Sequence, residues 1–428
     1  MKKKRMKRLI IWMLIGVLCL APVSILSGCN SEENNVTEEI DRPDDEDGKE
    51  DAGGSLWDLF GWTKDDGETS DDEFLEKANY LKSLIDLYFW EDADEEELYE
   101  GMYHGLLEAL DDPYSCYYTK EEYAALMEEL EGTYCGIGAL VSQNASTKAI
   151  TIVRPFVDGP AYNAGILPGD ILTKIDGEDI TDWDLEFAVK HMKGEQGTKV
   201  ELEVWRASAG EYLQLNVTRD IIEVETVTYE MFEDSIGYIY IMQFDEKTTG
   251  QFKTALNRLN EQGMKGLVVD IRDNGGGLLT TVCDMLDMFL DDELIVYTLD
   301  KYDKKEEIFA EKGCISSVPM AVLINGFSAS ASEIFAGALQ DYGLATIVGT
   351  QSFGKGIVQS VIPLNDGSAV KLTVSTYYTP KGRNIHGLGI TPDVEVEPDA
   401  ELKQSAAVSV EKDNQLKAAV EEVKKLLQ

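Results

Sequence analysis

Apolar residues recur at three- and four-residue spacing at Phe74, Leu75, Ala78, Leu81, Leu84, Ile85 and Tyr88, which predicts an amphipathic helix beginning near Asp72. A second helix is predicted over 95–110 with Asp94 as its cap, and a third over 120–131. Leu110-Asp111-Asp112-Pro113-Tyr114-Ser115 breaks the pattern between them. At Gly132 the texture becomes β, with apolar stretches over 136–141 and 149–153, a turn-rich run, a helix over 184–192, and strands over 199–205 and 212–218. From Ile236 short apolar runs alternate with helical periods: strands over 236–241, 265–271 and 320–324, helices over 249–262 and 279–289. This alternation predicts an α/β core. Near the end, 412–427 forms a further amphipathic helix, with Leu416, Ala419, Val420, Val423 and Leu427 on one stripe.

The first residues do not belong to this pattern. Lys2, Lys3, Lys4, Arg5, Lys7 and Arg8 precede an apolar segment, Leu9 to Leu26, and then Leu26-Ser27-Gly28-Cys29. Small residues before a cysteine resemble the lipobox of bacterial lipoproteins, which implies that Cys29 carries a lipid after the signal is removed. An uncleaved membrane helix is the other reading, because the apolar run is just long enough to span. Either way the positive flank stays inside and the rest is exported.

The 428 residues suffice for two or three domains, and the formal charge of −42 argues against nucleic acid as a ligand. Much of that charge lies in residues 30–73, which read as a solvated tether. Of six cysteines, Cys19 lies in the signal and Cys29 is the candidate anchor. Cys116, Cys135, Cys283 and Cys314 have no metal-ligand spacing, so no metal or other cofactor is expected.

Candidate chemistry lies in three stretches. In Asn325-Gly326-Phe327-Ser328-Ala329-Ser330-Ala331-Ser332-Glu333 a strand turns into a helix, where unpaired N–H groups and the helix dipole favour a nucleophile and its oxyanion hole. Ser330 and Glu333 also fit a capping box. Arg272-Asp273-Asn274-Gly275-Gly276-Gly277 lacks the ending of a P-loop and suits close approach of backbone to a substrate. Gly354-Lys355-Gly356 enters a strand carrying Gln359, and a desolvated lysine can act as a serine's base. Lys355 and Gln359 share a strand face by parity, but contact between them needs a bend or a folded-back lysine. His386 is a weaker partner for a serine, and no His-Glu-x-x-His is present.

Two resemblances join these stretches. Ala164-Gly165-Ile166-Leu167-Pro168-Gly169-Asp170 followed by Ile175-Asp176-Gly177 resembles a PDZ domain. That implies a C-terminal tail as ligand, its carboxylate held near Gly136, Ile137 and Gly138 and its strand added to a sheet edge. The bland alternative is a module that only packs on its neighbour. Downstream, the ordered set of motifs resembles the C-terminal processing peptidases, over roughly residues 72–428. Leu110 to Ser115, Tyr378-Thr379-Pro380-Lys381-Gly382-Arg383 and Gly389-Ile390-Thr391-Pro392-Asp393 belong to that set. The resemblance implies Ser330 as nucleophile, Lys355 as base, Gln359 as its orienting residue, and the N–H groups of Gly276 and Ala331 as oxyanion donors. Ser328 and Ser332 are the local competitors, and Gly275 departs from the family, which often has proline there.

The implied fold class is α/β multidomain: a helical module over 72–131, a PDZ domain over 132–221, a crotonase-like serine protease core over 222–400 and a C-terminal helix over 401–428, after a signal over 1–29 and a linker over 30–71. The implied partners are protein substrates with accessible C-terminal tails, the membrane through Cys29, and a second copy of the chain through terminal helices. The rival readings are an inactive lipid-anchored PDZ scaffold and a crotonase-like binder of acyl thioesters.

Overall fold

The computed structural model describes residues 71–313, 316–399 and 409–428, in two compact units divided at Leu107. The expected signal with Cys29, and the linker as far as residue 70, lie outside the described residues. No helix among the described residues is long and apolar enough to cross a membrane.

The smaller unit holds helix Asp71–Tyr88 and most of helix Glu95–Glu108. Asp94 Oδ1 accepts the N–H groups of Glu96 and Glu97 at 2.9 and 3.1 Å, so the expected cap starts the second helix. Helix Lys120–Glu131 forms at its predicted span behind a Thr119–Glu122 capping box, but it belongs to the larger unit. The break before it contains a strand that the sequence pattern did not announce, Cys116–Tyr118. Three residues are too few for periodicity to register.

Strands Ile236–Ile241, Gly266–Asp270, Met320–Ile324, Ala345–Gly349 and Val394–Glu395 lie parallel in that order, with Val227–Phe232 antiparallel at the edge. Ile239, Val269, Val322 and Ile347 face helices Thr248–Glu261, Leu279–Leu286 and Ala331–Tyr342. The alternate residues Tyr238, Val268, Leu323 and Val348 pack on helix Asn414–Leu426. Both faces are covered, which is why the strands read as unbroken apolar runs. The C-terminal stripe expected to serve assembly is therefore used inside the chain: Leu416, Ala419, Val420 and Val423 are buried on the sheet. Arg272 anchors that helix, donating to Asp413 at 2.8 Å and Gln415 at 3.0 Å.

A second, antiparallel sheet is built around Ala369–Tyr378, which pairs with Ile357–Pro363 on one side and with Cys116–Tyr118 and Leu294–Asp300 on the other. The PDZ region forms its own sheet and core around Ile152, Leu172, Leu202 and Val217. The pair Thr133–Gly136 and Asp220–Glu223 closes its base. Cys116, Cys135 and Cys283 are free thiols.

Candidate active site

Met320–Ile324 delivers the chain to the start of helix Ala331–Tyr342, and Ser330 occupies the turn at φ 55°, ψ −113°. A non-glycine residue at positive φ is strained and must be held by its surroundings. The two competing serines are sequestered. Ser328 Oγ donates to the Ile271 carbonyl at 2.7 Å and Ser332 Oγ to the Asn274 carbonyl at 2.8 Å, and both residues are fully buried. Ser330 alone of the three is partly exposed.

The glycine loop closes on this turn. A Cβ added to Gly276 would lie 2.9 Å from Ser330 Cβ and 3.1 Å from the Ala331 nitrogen, so only glycine lets the loop come this near. Ala331 N–H stands at the first helical position, where no intrahelical acceptor exists. The Gly276 N–H is engaged: it donates to Asn274 Oδ1 at 2.9 Å, while Asn274 Nδ2 donates to the Ile241 carbonyl at 2.9 Å.

Lys355 reaches the same place from the loop before Ile357–Pro363 and is only 6% exposed. Gly356 beside it has no room for a side chain, since an added Cβ would meet the His386 nitrogen at 2.5 Å. The serine and the lysine are joined twice through their backbones. Glu333 Oε2 accepts the Ser330 N–H at 2.9 Å and the Lys355 N–H at 2.8 Å. Tyr377 Oη lies 3.0 Å from the Ser330 carbonyl and 2.7 Å from the Lys355 carbonyl, sharing one proton between them. Glu333 Oε1 takes two further donors, Gly354 N–H at 2.7 Å and Ser352 Oγ at 2.5 Å. Burial raises the Glu333 carboxyl above its ordinary range, against the pull of these hydrogen bonds.

Residues 235–396 match peptidase family S41, 152–206 a PDZ domain, and 58–122 the N-terminal domain of the activating protease CtpB. The chain is 41% identical over 310 residues to a carboxy-terminal-processing protease of Bartonella bacilliformis, covering 71% of this chain and 70% of that one. It is 37% identical over 333 residues to the carboxy-terminal processing protease CtpA of Bacillus subtilis, covering 77% and 71%. The chain belongs to the carboxy-terminal processing proteases. It is a serine-type protease with a PDZ domain. A solved photosystem II D1 C-terminal processing protease is 28% identical, with 81% of this chain and 92% of that one covered at a TM-score of 0.46.

The remaining candidates fall as follows. Gln359 lies opposite Thr373, beyond a register shift between Val358 and Gln359, so simple strand parity from Lys355 does not hold. Gln359 Nε2 is buried without a hydrogen-bond partner. His386 is exposed, its N–H donating to Asn384 Oδ1 at 2.9 Å, and it serves the protease as loop structure. In the PDZ loop the carbonyls of Ile137 and Gly138 accept from Ala161 at 2.7 Å and Phe156 at 2.9 Å. Strand Ala139–Gln143 beyond it is at the sheet edge. The sequence reading overlooked Tyr377, and gave Glu333 only a capping role. An acidic residue buried in a helix of small residues was the one available signal.

Proposed function

We propose that this protease is an exported, membrane-anchored endopeptidase in which Ser330 is the nucleophile, Lys355 the general base and Gln359 the residue that orients the lysine. The observation that carries this reading is the double backbone link between Ser330 and Lys355 through Glu333 and Tyr377. It ties the position of one to that of the other, as a proton transfer between their side chains requires.

Lys355, as the free amine, takes the Ser330 Oγ proton while Oγ attacks the peptide carbonyl. The oxyanion is held by the Ala331 N–H and by the Gly276 N–H, once the latter leaves Asn274 Oδ1. The lysine ammonium then protonates the departing amine, and water, deprotonated by the same lysine, hydrolyses the acyl-enzyme. Substrate tails enter by the carboxylate at Gly136, Ile137 and Gly138. A lipid on Cys29 holds the enzyme on the outer side of the membrane, as the Leu26-Ser27-Gly28-Cys29 pattern supports. The enzyme acts as a homodimer, and the exposed Phe74, Leu75, Leu81, Leu87 and Leu106 of the N-terminal helices support those helices as the contact.

Casein digestion by the wild-type chain, Ser330→Ala and Lys355→Ala tests the chemistry. Cleavage by wild type alone, with unchanged unfolding transitions in both variants, is the expected result. Cleavage retained by either variant removes that residue from its assigned role. Loss of lipid labelling in Cys29→Ala checks the anchor.

A further inference from the structure

A lysine that shuttles a proton must be charged for part of each turnover, and burial disfavours that charge. Lys355 is almost fully buried, so the ammonium needs a resting place built by the protein. The segment between helix Glu95–Glu108 and strand Cys116–Tyr118 provides one. Lys355 Nζ lies over the ring of Tyr114, 4.6 Å from its centroid. A ring face at this distance attracts a cation, most strongly where water is excluded.

Asp112, two residues before that ring, feels the charge of Lys355 and is itself held in place. Its Oδ2 accepts from Ser115 Oγ at 2.6 Å and its Oδ1 from the Tyr114 N–H at 3.1 Å. Ser115 Oγ in turn accepts the Thr373 N–H at 3.0 Å, which ties the segment to the strand that pairs with Ile357–Pro363. Burial works to raise the Asp112 carboxyl, yet hydrogen bonds led by that from Ser115, together with the charge of Lys355, hold it below the usual carboxylate range. It is therefore negative wherever the enzyme works.

Resting on the assignment of Lys355 as general base, we propose that Asp112 and Tyr114 are positioning residues that dock the Lys355 ammonium between its uptake of the Ser330 proton and delivery of that proton to the leaving amine. The dock favours the charged lysine, so it also sets the pH below which the base is out of service. Other titratable groups around Lys355 include Glu333, which accepts its N–H, Tyr377, which donates to its carbonyl, and His386, whose backbone adjoins Gly356. The variants that test the dock leave all three in place.

The test is the pH profile of kcat/KM for the full chain on a quenched-fluorescent peptide with a free, apolar C-terminus. Removing the ring in Tyr114→Leu, or the charge in Asp112→Asn, makes the ammonium less favourable and moves the acid limb to lower pH, by about one unit. Tyr114→Phe keeps the ring and restores the wild-type limb. If Tyr114→Leu does not fold, Tyr114→Met and Asp112→Asn carry the comparison. An acid limb that stays in place in the variants that remove the ring or the charge, with activity lowered evenly across pH, overturns the dock and leaves the segment a structural part. Full cleavage by Lys355→Ala instead overturns the assignment of the base on which the dock rests.

Discussion

Glu333 Oε2 lies 2.8 Å from the Lys355 nitrogen and 2.9 Å from the Ser330 nitrogen, so one buried carboxylate holds the backbones of both residues. Four donors converge on its two oxygens, the Gly354 N–H and Ser352 Oγ reaching Oε1 while the two backbone N–H groups reach Oε2. Glu333→Gln keeps the shape but turns an NH2 group toward two of those donors. The expected result is a loss of about 1–3 kcal/mol in urea unfolding, the cost of buried groups left unpaired. A lower kcat with little change in KM should accompany it, because the clip sets geometry and does not touch substrate.

Gly276→Ala places a methyl group 2.9 Å from Ser330 Cβ at a backbone φ of 109°. The loop must retreat from the serine, and its N–H retreats with it. A loss of about a hundredfold in kcat is expected, the usual effect of removing one oxyanion donor. Steady-state kinetics on a peptide substrate checks it, and an unchanged kcat would take Gly276 out of the oxyanion hole.

The core was readable because burial on both faces leaves a strong mark: Met320–Ile324 is apolar at every position, and the helices around it repeat at helical spacing. The strand-to-helix turn at Ser330 was readable from the sequence, although the same residues fit a cap; in the structure Glu333 does reach back as a cap does. The antiparallel sheet around Ala369–Tyr378 was not anticipated, because its strands mix exposed and half-buried positions and its partners come from distant parts of the chain. Asp112 and Tyr114 read as a helix break and as part of a family motif, with no role of their own, for the same reason. Their meaning depends on Lys355, which only folding brings near.

Tyr377→Phe removes the one hydroxyl that serves both carbonyls, at 3.0 Å from Ser330 and 2.7 Å from Lys355. Stability should fall by about 1 kcal/mol. Since Glu333 joins the same two backbones, the double variant with Glu333→Gln should lose less than the sum of the two single losses in kcat. A double-mutant cycle measures this, and strict additivity would show that the two links act independently.

Asp170 accepts from Arg206 Nε at 2.8 Å and Nη2 at 2.7 Å, and from the Leu167 N–H at 2.9 Å, in the turn of the PDZ domain. Burial acts to raise its carboxyl, but the Arg206 hydrogen bonds and charge and the Leu167 N–H outweigh that and hold it below the usual range. A carboxyl lowered in the folded state adds stability above its unfolded value, about 3.9, and loses it as pH falls through the folded value. Melting of the PDZ domain, followed by the fluorescence of Trp183 and Trp205, should therefore weaken as pH drops below about 4. Asp170→Asn should remove that part of the pH dependence and, by weakening the hydrogen bonds to the Arg206 guanidinium, cost about 1–3 kcal/mol at neutral pH. If the variant melts at the wild-type temperature at neutral pH, the ion pair does not hold the domain together, and the turn is fixed by Gly169 and its backbone hydrogen bonds alone.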